Sequence, residues 1–257
     1  MMYGAVLDTE STTLISGATQ GIGAAIARRF AAAGAKLAIN DIAPGPAMDA
    51  MVREVGGVAA PADISDRVQV KAMVETLVKH SGPIGTLICN AAHMTMSPFL
   101  EHSPDDWWKV VDTNLTGTFH LVQEVLPSMR TLGAGRIVIV TSYWGVIGWP
   151  DATAYAASKA GLVALIKTLG RELAPEGIIV NGIAPGVTST PQLEVDAKAA
   201  GRSVKEIEAL YAQGIPAGRV GQPDEIAAGV AFLSDRRMGA MIGTILQVNG
   251  GEVRGRV

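Results

Sequence analysis

Short apolar runs alternate with longer helical patterns almost from end to end of this 257-residue chain, and no other feature constrains its fold as strongly. Candidate strands are Thr12–Ser16, Lys36–Asn40, Val58–Ala60, Thr86–Asn90, Arg136–Thr141, Ile178–Ile183 and Thr244–Val248. Helical patterns fall between them, near Ile22–Ala33, Ala47–Val55, Arg67–His80, Pro104–Arg130, Thr153–Ala174 and Pro223–Leu233. A strand that feeds a helix and then a parallel neighbour is covered on both faces, so it reads as a continuous apolar run. The expected fold is therefore α/β and doubly wound, with a seven-stranded parallel sheet and helices on both faces. No Pro/Ser-rich linker, repeat or low-complexity tract divides the chain, so one domain over residues 1–257 is expected. Ligands of such folds sit beyond the C-terminal strand edge, which makes strand ends the place to look for chemistry.

Composition narrows the class. Hydrophobic residues make up 48% of the chain and charged ones 18%, enough apolar material for a two-faced core. The net charge of −3 provides no basic field for nucleic acid or an anionic membrane. The segment from Met1 to Ser11 carries Asp8 and Glu10 and does not read as a signal peptide. No run of about 18 apolar residues suggests a membrane span. The single cysteine, Cys89, excludes an internal disulfide, and a cytoplasmic location is expected. The four histidines are scattered, and no metal-ligand spacing is present.

The first strand runs into Ser16-Gly17-Ala18-Thr19-Gln20-Gly21-Ile22-Gly23 and then a helical pattern. Glycines there let the backbone turn sharply and approach a pyrophosphate, whose charge meets helix N-terminal N–H groups. The spacing is neither G-x-G-x-x-G nor a P-loop, and alone it is a weak signal. Asp41, 24 residues after Gly17, strengthens it. A carboxylate at the end of the second strand accepts from ribose hydroxyls and repels a 2′-phosphate. With no Arg or Lys at Gln20, Ile42 or Ala43, NAD is favoured over NADP. Asp63 follows the third strand and either accepts from the adenine amino group or caps the next helix, a role open to Ser65 as well.

Tyr155 and Lys159 are spaced i, i+4 on a strongly helical segment, which puts both on one face. A free tyrosine is a poor base at neutral pH, and a neighbouring ammonium favours its phenolate. Ser142 lies 13 residues earlier at a strand end. On its own, Y-x-x-x-K is common. One further segment, Thr113 to Thr118, places Asn114 and Gly117 inside a helical pattern, against local propensity.

Taken in order, these elements resemble the short-chain dehydrogenase/reductase family over nearly the whole chain. They are Gly17…Gly21-Ile22-Gly23, Asp41, Asp63-Ile64, Asn90-Ala91, Asn114-Leu115-Thr116-Gly117, Ser142, Tyr155…Lys159, Asn181…Pro185-Gly186 and Val248-Asn249-Gly250-Gly251. The resemblance implies a Rossmann-type domain and hydride transfer to or from NAD. It makes Tyr155 the proton donor or acceptor, and Lys159 the group that holds the nicotinamide ribose and lowers the tyrosine pKa. Ser142 becomes the hydrogen-bond partner of the substrate oxygen, and Asn114 a helix-kinking support for a proton relay. Cofactor contacts are implied at Gly17, Thr19, Gln20, Gly21, Ile22, Gly23, Asp41, Asp63, Ile64, Asn90, Ala91, Tyr155, Lys159, Pro185, Gly186, Val187 and Thr190. Two departures from the family pattern stand out: Ala92 replaces a glycine, and Asn249 replaces an aspartate. His93 either touches substrate or forms part of the wall.

Specificity is expected from His93–Phe99, Tyr143–Trp149 and Pro191–Tyr211, with a helical lid over Ser203–Gln213 in a lid-like stretch of about 190–215. Trp144 and Trp149 make the pocket look apolar, suited to a ketone or secondary alcohol, or else they pack at a subunit interface. From Ala152 to Leu169 the only charged residues are Lys159 and Lys167, so that helix wants burial on more than one face. A homotetramer is expected. The leading function is an NAD-dependent oxidoreductase of a secondary alcohol or ketone. The alternatives are an NADPH-dependent 3-oxoacyl-(acyl-carrier-protein) reductase and a non-catalytic dinucleotide-binding sensor.

Overall fold

A computed structural model of the chain describes residues 5–253. Seven parallel strands form one sheet: β1 Thr12–Ile15, β2 Lys36–Ile39, β3 Val58–Ala59, β4 Ile84–Cys89, β5 Gly135–Val140, β6 Ile178–Pro185 and β7 Ile245–Val248. Their spatial order is β3-β2-β1-β4-β5-β6-β7. The helices are α1 Gly21–Ala32, α2 Pro46–Val55, α3 Arg67–Ser81, α4 Pro104–Val111, α5 Gly117–Leu132, α6 Trp144–Ile147, α7 Thr153–Leu173, α8 Gln192–Ala200, α9 Val204–Ala212 and α10 Pro223–Leu233. A π-helical stretch, Asp112–Thr116, joins α4 to α5.

Strand residues alternate between two cores, as the pleat requires. Leu14, Leu87, Ile137 and Val180 join α3, α5 and α7 on one face. Ile15, Ile88, Val138 and Ile183 join α1 and α10 on the other. Full burial of one such side chain stabilises the fold by about 1.5–3 kcal/mol. Both faces of the central strands are thus apolar, which is why their sequences show no alternation.

The differences from expectation are local. The predicted helix over 104–130 is three pieces, and the misfit segment is the π stretch itself. An extra residue there turns Asn114 fully inward. α6 has only four residues, too few to show a period, and α8 buries only Leu193 and Ala197. Asp66, not Asp63 or Ser65, caps α3, accepting from the N–H groups of Val68 and Gln69.

At the sheet centre the chain reverses direction of growth: β1 leads outward to β2 and β3, then β4 returns to the other side of β1. The crevice this opens lies at the C-terminal ends of β1 and β4. α1 starts directly above it and presses close, since a Cβ on Gly23 would lie 2.0 Å from the Gly17 carbonyl oxygen. Replacement Gly23→Val is therefore expected to lower stability by about 1–3 kcal/mol, as overpacking does. Urea denaturation measures this, and an unchanged midpoint would contradict the packing described.

Candidate active site

Two side chains hold the crevice open in a fixed shape. The buried Ser16 hydroxyl accepts from the backbone N–H groups of Asn90 and Ala91 at 3.0 and 3.1 Å. The Asn90 amide donates back to the carbonyls of Ser16 and Gly17 at 3.1 and 2.9 Å. Gly17 has φ +62°, and a Cβ there would meet Ala91 Cα at 2.8 Å. The turn is thus left-handed and in contact with the neighbouring strand end, a position only glycine fills without strain.

The crevice is a cleft of about 760 Å³ lined by Gly17, Gln20, Gly21, Ile22, Asp41, Asp63, Ile64, Asn90, Ala91 and Thr190, among others. Its residues suit a dinucleotide. Gln20, the N-cap of α1, makes no side-chain capping bond, and the first turn of α1 holds no acid. The leading N–H groups of the helix therefore have no side-chain acceptor, and a pyrophosphate is the kind of anion that would satisfy them. At the far end Asp41 is held in place by two donors: the Thr19 hydroxyl on Oδ2 and the Ile42 N–H, 2.8 Å away, on Oδ1. A carboxylate has about four acceptor sites, so two remain for sugar hydroxyls. Asp63 turns back on Ser65, accepting from its N–H and hydroxyl at 2.9 and 2.7 Å.

Thr19 and Gly23 do not line the cleft; one orients Asp41 and the other admits α1. His93 forms part of the cleft wall. Ala92 replaces a glycine without strain, because Asp151 is the only non-glycine with positive φ among the described residues. Asn249 is buried and accepts from the Gly251 N–H at 3.1 Å, a structural role.

The cleft continues into a chamber of about 210 Å³, and the two share Ile22, Asn90, Ala92, Thr190 and Gln192. Ser142, Tyr155, Lys159, Pro185, Gly186 and Val187 all line the chamber. β5 delivers Ser142 at its end, and α7 delivers Tyr155 and Lys159 from one face. Lys159 is almost wholly buried, its Nζ donating to the Val140 carbonyl at 2.9 Å and lying 5.4 Å from the Tyr155 ring centre. Burial drives the ammonium down to about 8. Burial also pushes the Tyr155 phenol up to about 12, opposed by a hydrogen bond with Ser142. The cost of burying the phenolate outweighs that hydrogen bond. Beneath Lys159, burial raises the Cys89 thiol to about 12.

Asn114 is brought near this centre but does not line it. Its Oδ1 accepts from the His93 N–H at 2.7 Å, and its Nδ2 donates to the His93 carbonyl and to Ser158 Oγ, both at 3.0 Å. Ser158 Oγ in turn donates to the Tyr155 carbonyl at 2.8 Å. Asn114 thus ties the π stretch to the loop after β4 and to α7, a positioning arrangement. Trp144 meets the Tyr155 ring edge-on at 5.8 Å and stacks on Trp149 at 5.1 Å. Trp144 lines the chamber, whereas Trp149 stands behind it.

Three features escaped the sequence. Ser16 and Ser158 are small hydroxyls inside strong patterns and carry no distinguishing signal. Asp196 faces the chamber from α8, so the expected apolar pocket carries a carboxylate. Its neighbours Gln192 and Tyr211, four residues before it and 15 after, could have suggested a shared network.

Comparison with known proteins agrees with this geometry. A family model described as enoyl-(acyl carrier protein) reductase matches residues 17–252. The chain is 36% identical over 245 residues to a 3-oxoacyl-(acyl-carrier-protein) reductase of Thermotoga maritima, covering 93% of this chain and 96% of the relative. It is 34% identical over 251 residues to one of Synechocystis, covering 95% and 98%. It is also 36% identical over 250 residues to an oxidoreductase of Escherichia coli, UcpA, covering 95% and 94%.

The buried lysine carries a pH signature. Its folded value of about 8 lies below its ordinary 10.5, so the unfolded chain binds the extra proton between them. Stability of the cofactor-free protein should rise from pH 8 to pH 10 and do so less in Lys159→Met. Denaturant midpoints at the two pH values measure the difference, and equal pH responses would contradict the assignment.

Proposed function

Because the chain belongs to the short-chain dehydrogenase/reductase family, an oxidoreductase family acting on CH–OH groups with a nicotinamide dinucleotide, we propose that it interconverts a carbonyl and a secondary alcohol with Tyr155 as acid/base. The observation that carries this is the convergence of Ser142, Tyr155 and Lys159 on one chamber that opens into the dinucleotide-shaped cleft. The bound dinucleotide supplies the hydride acceptor or donor. Ser142 Oγ hydrogen-bonds the substrate oxygen and orients it toward Tyr155. In reduction Tyr155 gives its phenolic proton to that oxygen; in oxidation it takes the alcohol proton. Lys159, anchored on Val140, offsets negative charge at Tyr155 while the proton is away. Asn114 acts through the loop and helix it ties together. Ile22, Pro185, Gly186, Val187 and Thr190 enclose the nicotinamide end, and Ile64, Asn90 and Ala91 the adenosine end.

For the cofactor, Asp41 supports NAD(H). A 2′-phosphate would face its carboxylate with no cation at Gln20 or Ile42 to neutralise it. For the substrate, the relatives' names favour a 3-oxoacyl thioester over a simple secondary alcohol. We therefore join the two: a 3-oxoacyl reductase that uses NADH. A sensor without catalysis is disfavoured by the intact proton-transfer groups.

No helix among the described residues is long and apolar enough to cross a membrane. Residues 1–257 form one domain in this reading, with α8 and α9 as the lid. Assembly as a homotetramer is supported by the small exposed residues Ala157, Ala160 and Ala164 along α7 and by half-exposed Phe119 on α5. Light scattering should give four chain masses; a monomer would overturn that part.

With a 3-oxoacyl thioester, NADH should exceed NADPH in kcat/KM by at least about tenfold, the scale of one unscreened like-charge contact. Tyr155→Phe should lose about 10²–10⁴-fold in turnover while still binding NADH. Preference for NADPH would sink the role of Asp41, and undiminished turnover in Tyr155→Phe the role of the tyrosine.

A further inference from the structure

One charged group in the catalytic chamber has no part in the chemistry above. Asp196 projects from α8 into the wall that also carries Ser142, Tyr155 and Tyr143. Its Oδ1 accepts from Gln192 Nε2 at 3.0 Å and its Oδ2 from the Tyr211 hydroxyl at 3.1 Å. Gln192 lies one helical turn before it, and Tyr211 reaches across from α9. Leu193, Ala197 and Ile207 form a small apolar cluster that holds the two helices together, with Tyr211 packed against it. The carboxylate is therefore held by two neutral donors on a braced helix pair, and no Lys or Arg pairs with it among the described residues. Each oxygen keeps an acceptor site unused. Among the described residues Lys159 is the only cation on the chamber wall, and it is committed to the Val140 carbonyl.

A half-buried anion with spare acceptor sites attracts hydrogen-bond donors and repels other anions. Neutral donors such as Gln and Tyr leave its charge uncompensated, so the repulsion acts within the chamber rather than being cancelled beside it.

We propose that Asp196 is a specificity-determining residue that selects substrates whose far end carries a hydrogen-bond donor, whether ammonium, hydroxyl or amide N–H, and excludes those ending in a carboxylate. The inference rests on the carbonyl–alcohol reading of the same chamber and sharpens it: an oxo compound, a thioester included, is admitted where it carries an amide N–H, hydroxyl or ammonium beyond the carbonyl, and a free oxo acid is turned away. Asp196 does not touch the reacting atoms. It acts on the part of the substrate beyond the carbonyl or alcohol carbon.

Three secondary alcohols with the same four-carbon chain separate the cases: 4-amino-2-butanol, 1,3-butanediol and 3-hydroxybutyrate. Their kcat/KM with NAD⁺, and their dissociation constants for the NADH-loaded protein by calorimetry, are compared in wild type and Asp196→Asn. Wild type is expected to favour them in the order amine, diol, acid. Asn keeps the size but removes the charge, so the amine-to-acid ratio should fall at least tenfold, with the diol falling less than the amine. An equal ratio in the two proteins, in rates or in binding, overturns the proposal. Tyr211→Phe, which leaves the carboxylate in place, should keep the wild-type order; loss of that order would mean that helix geometry, not charge, selects, and would also overturn it. Failure of the underlying reaction is distinct: none of the three alcohols would reduce NAD⁺, while the calorimetric ratio would still report on Asp196.

Discussion

At the point where β1 and β4 part, two side chains, buried Ser16 and half-buried Asn90, join the strand ends through four hydrogen bonds. Everything functional depends on that junction. The strand order forces the chain to leave β1 on one side and return on the other, which opens a crevice lined with backbone polar groups. Left alone, those groups would cost about 1–3 kcal/mol each. Ser16 and Asn90 satisfy them without filling the space, so the crevice survives as a cleft and the glycine turn keeps its shape. α1 then starts at a fixed height above it, with its unpaired N–H groups aimed inward.

The second constraint is the burial of charge beside the sheet. Lys159 is stripped of water and held by a single carbonyl, which brings its pKa down toward neutrality. Tyr155 is also disfavoured as an anion in these surroundings. A phenol that resists ionisation holds its proton tightly and is a strong base once it has lost it, and an ammonium that is poorly solvated responds strongly to any negative charge nearby. The two groups are thus disfavoured as a standing ion pair. The π stretch contributes at one remove: by turning Asn114 inward it fixes the loop after β4 against α7, and with it the backbone of Tyr155 through Ser158.

Most of the scaffold was legible in the sequence, because parallel strands buried on both faces must be apolar runs. Strand limits from the sequence and from the structure agree to within about two residues, and Ser142, Tyr155 and Lys159, recognised by order along the chain, line one chamber. What was not legible has identifiable causes. α6 is too short for any period, and α8 hides only two side chains, so its apolar pattern is faint. Asn114 announced a misfit in its helix but not the type of helix it makes. Asp196 lies in the Pro191–Tyr211 stretch expected to set specificity but was not singled out, since its meaning comes from Gln192 and Tyr211, partners set by the packing of α8 on α9. The tryptophans suggested an apolar pocket, and Trp144 does border it, but Asp196, Gln192 and Tyr211 border it too.

The central claim is that hydride moves directly between a nicotinamide and a carbon held against Ser142 and Tyr155. The most direct measurement follows deuterium from NADH labelled at both C4 positions, [4,4-²H₂]NADH, into a 3-oxoacyl thioester, with the product examined by mass spectrometry and NMR. The account predicts one deuterium on the new carbinol carbon, in a single configuration, with a primary isotope effect under single-turnover conditions. Product formed without the label, or with the label scrambled between configurations, would contradict it.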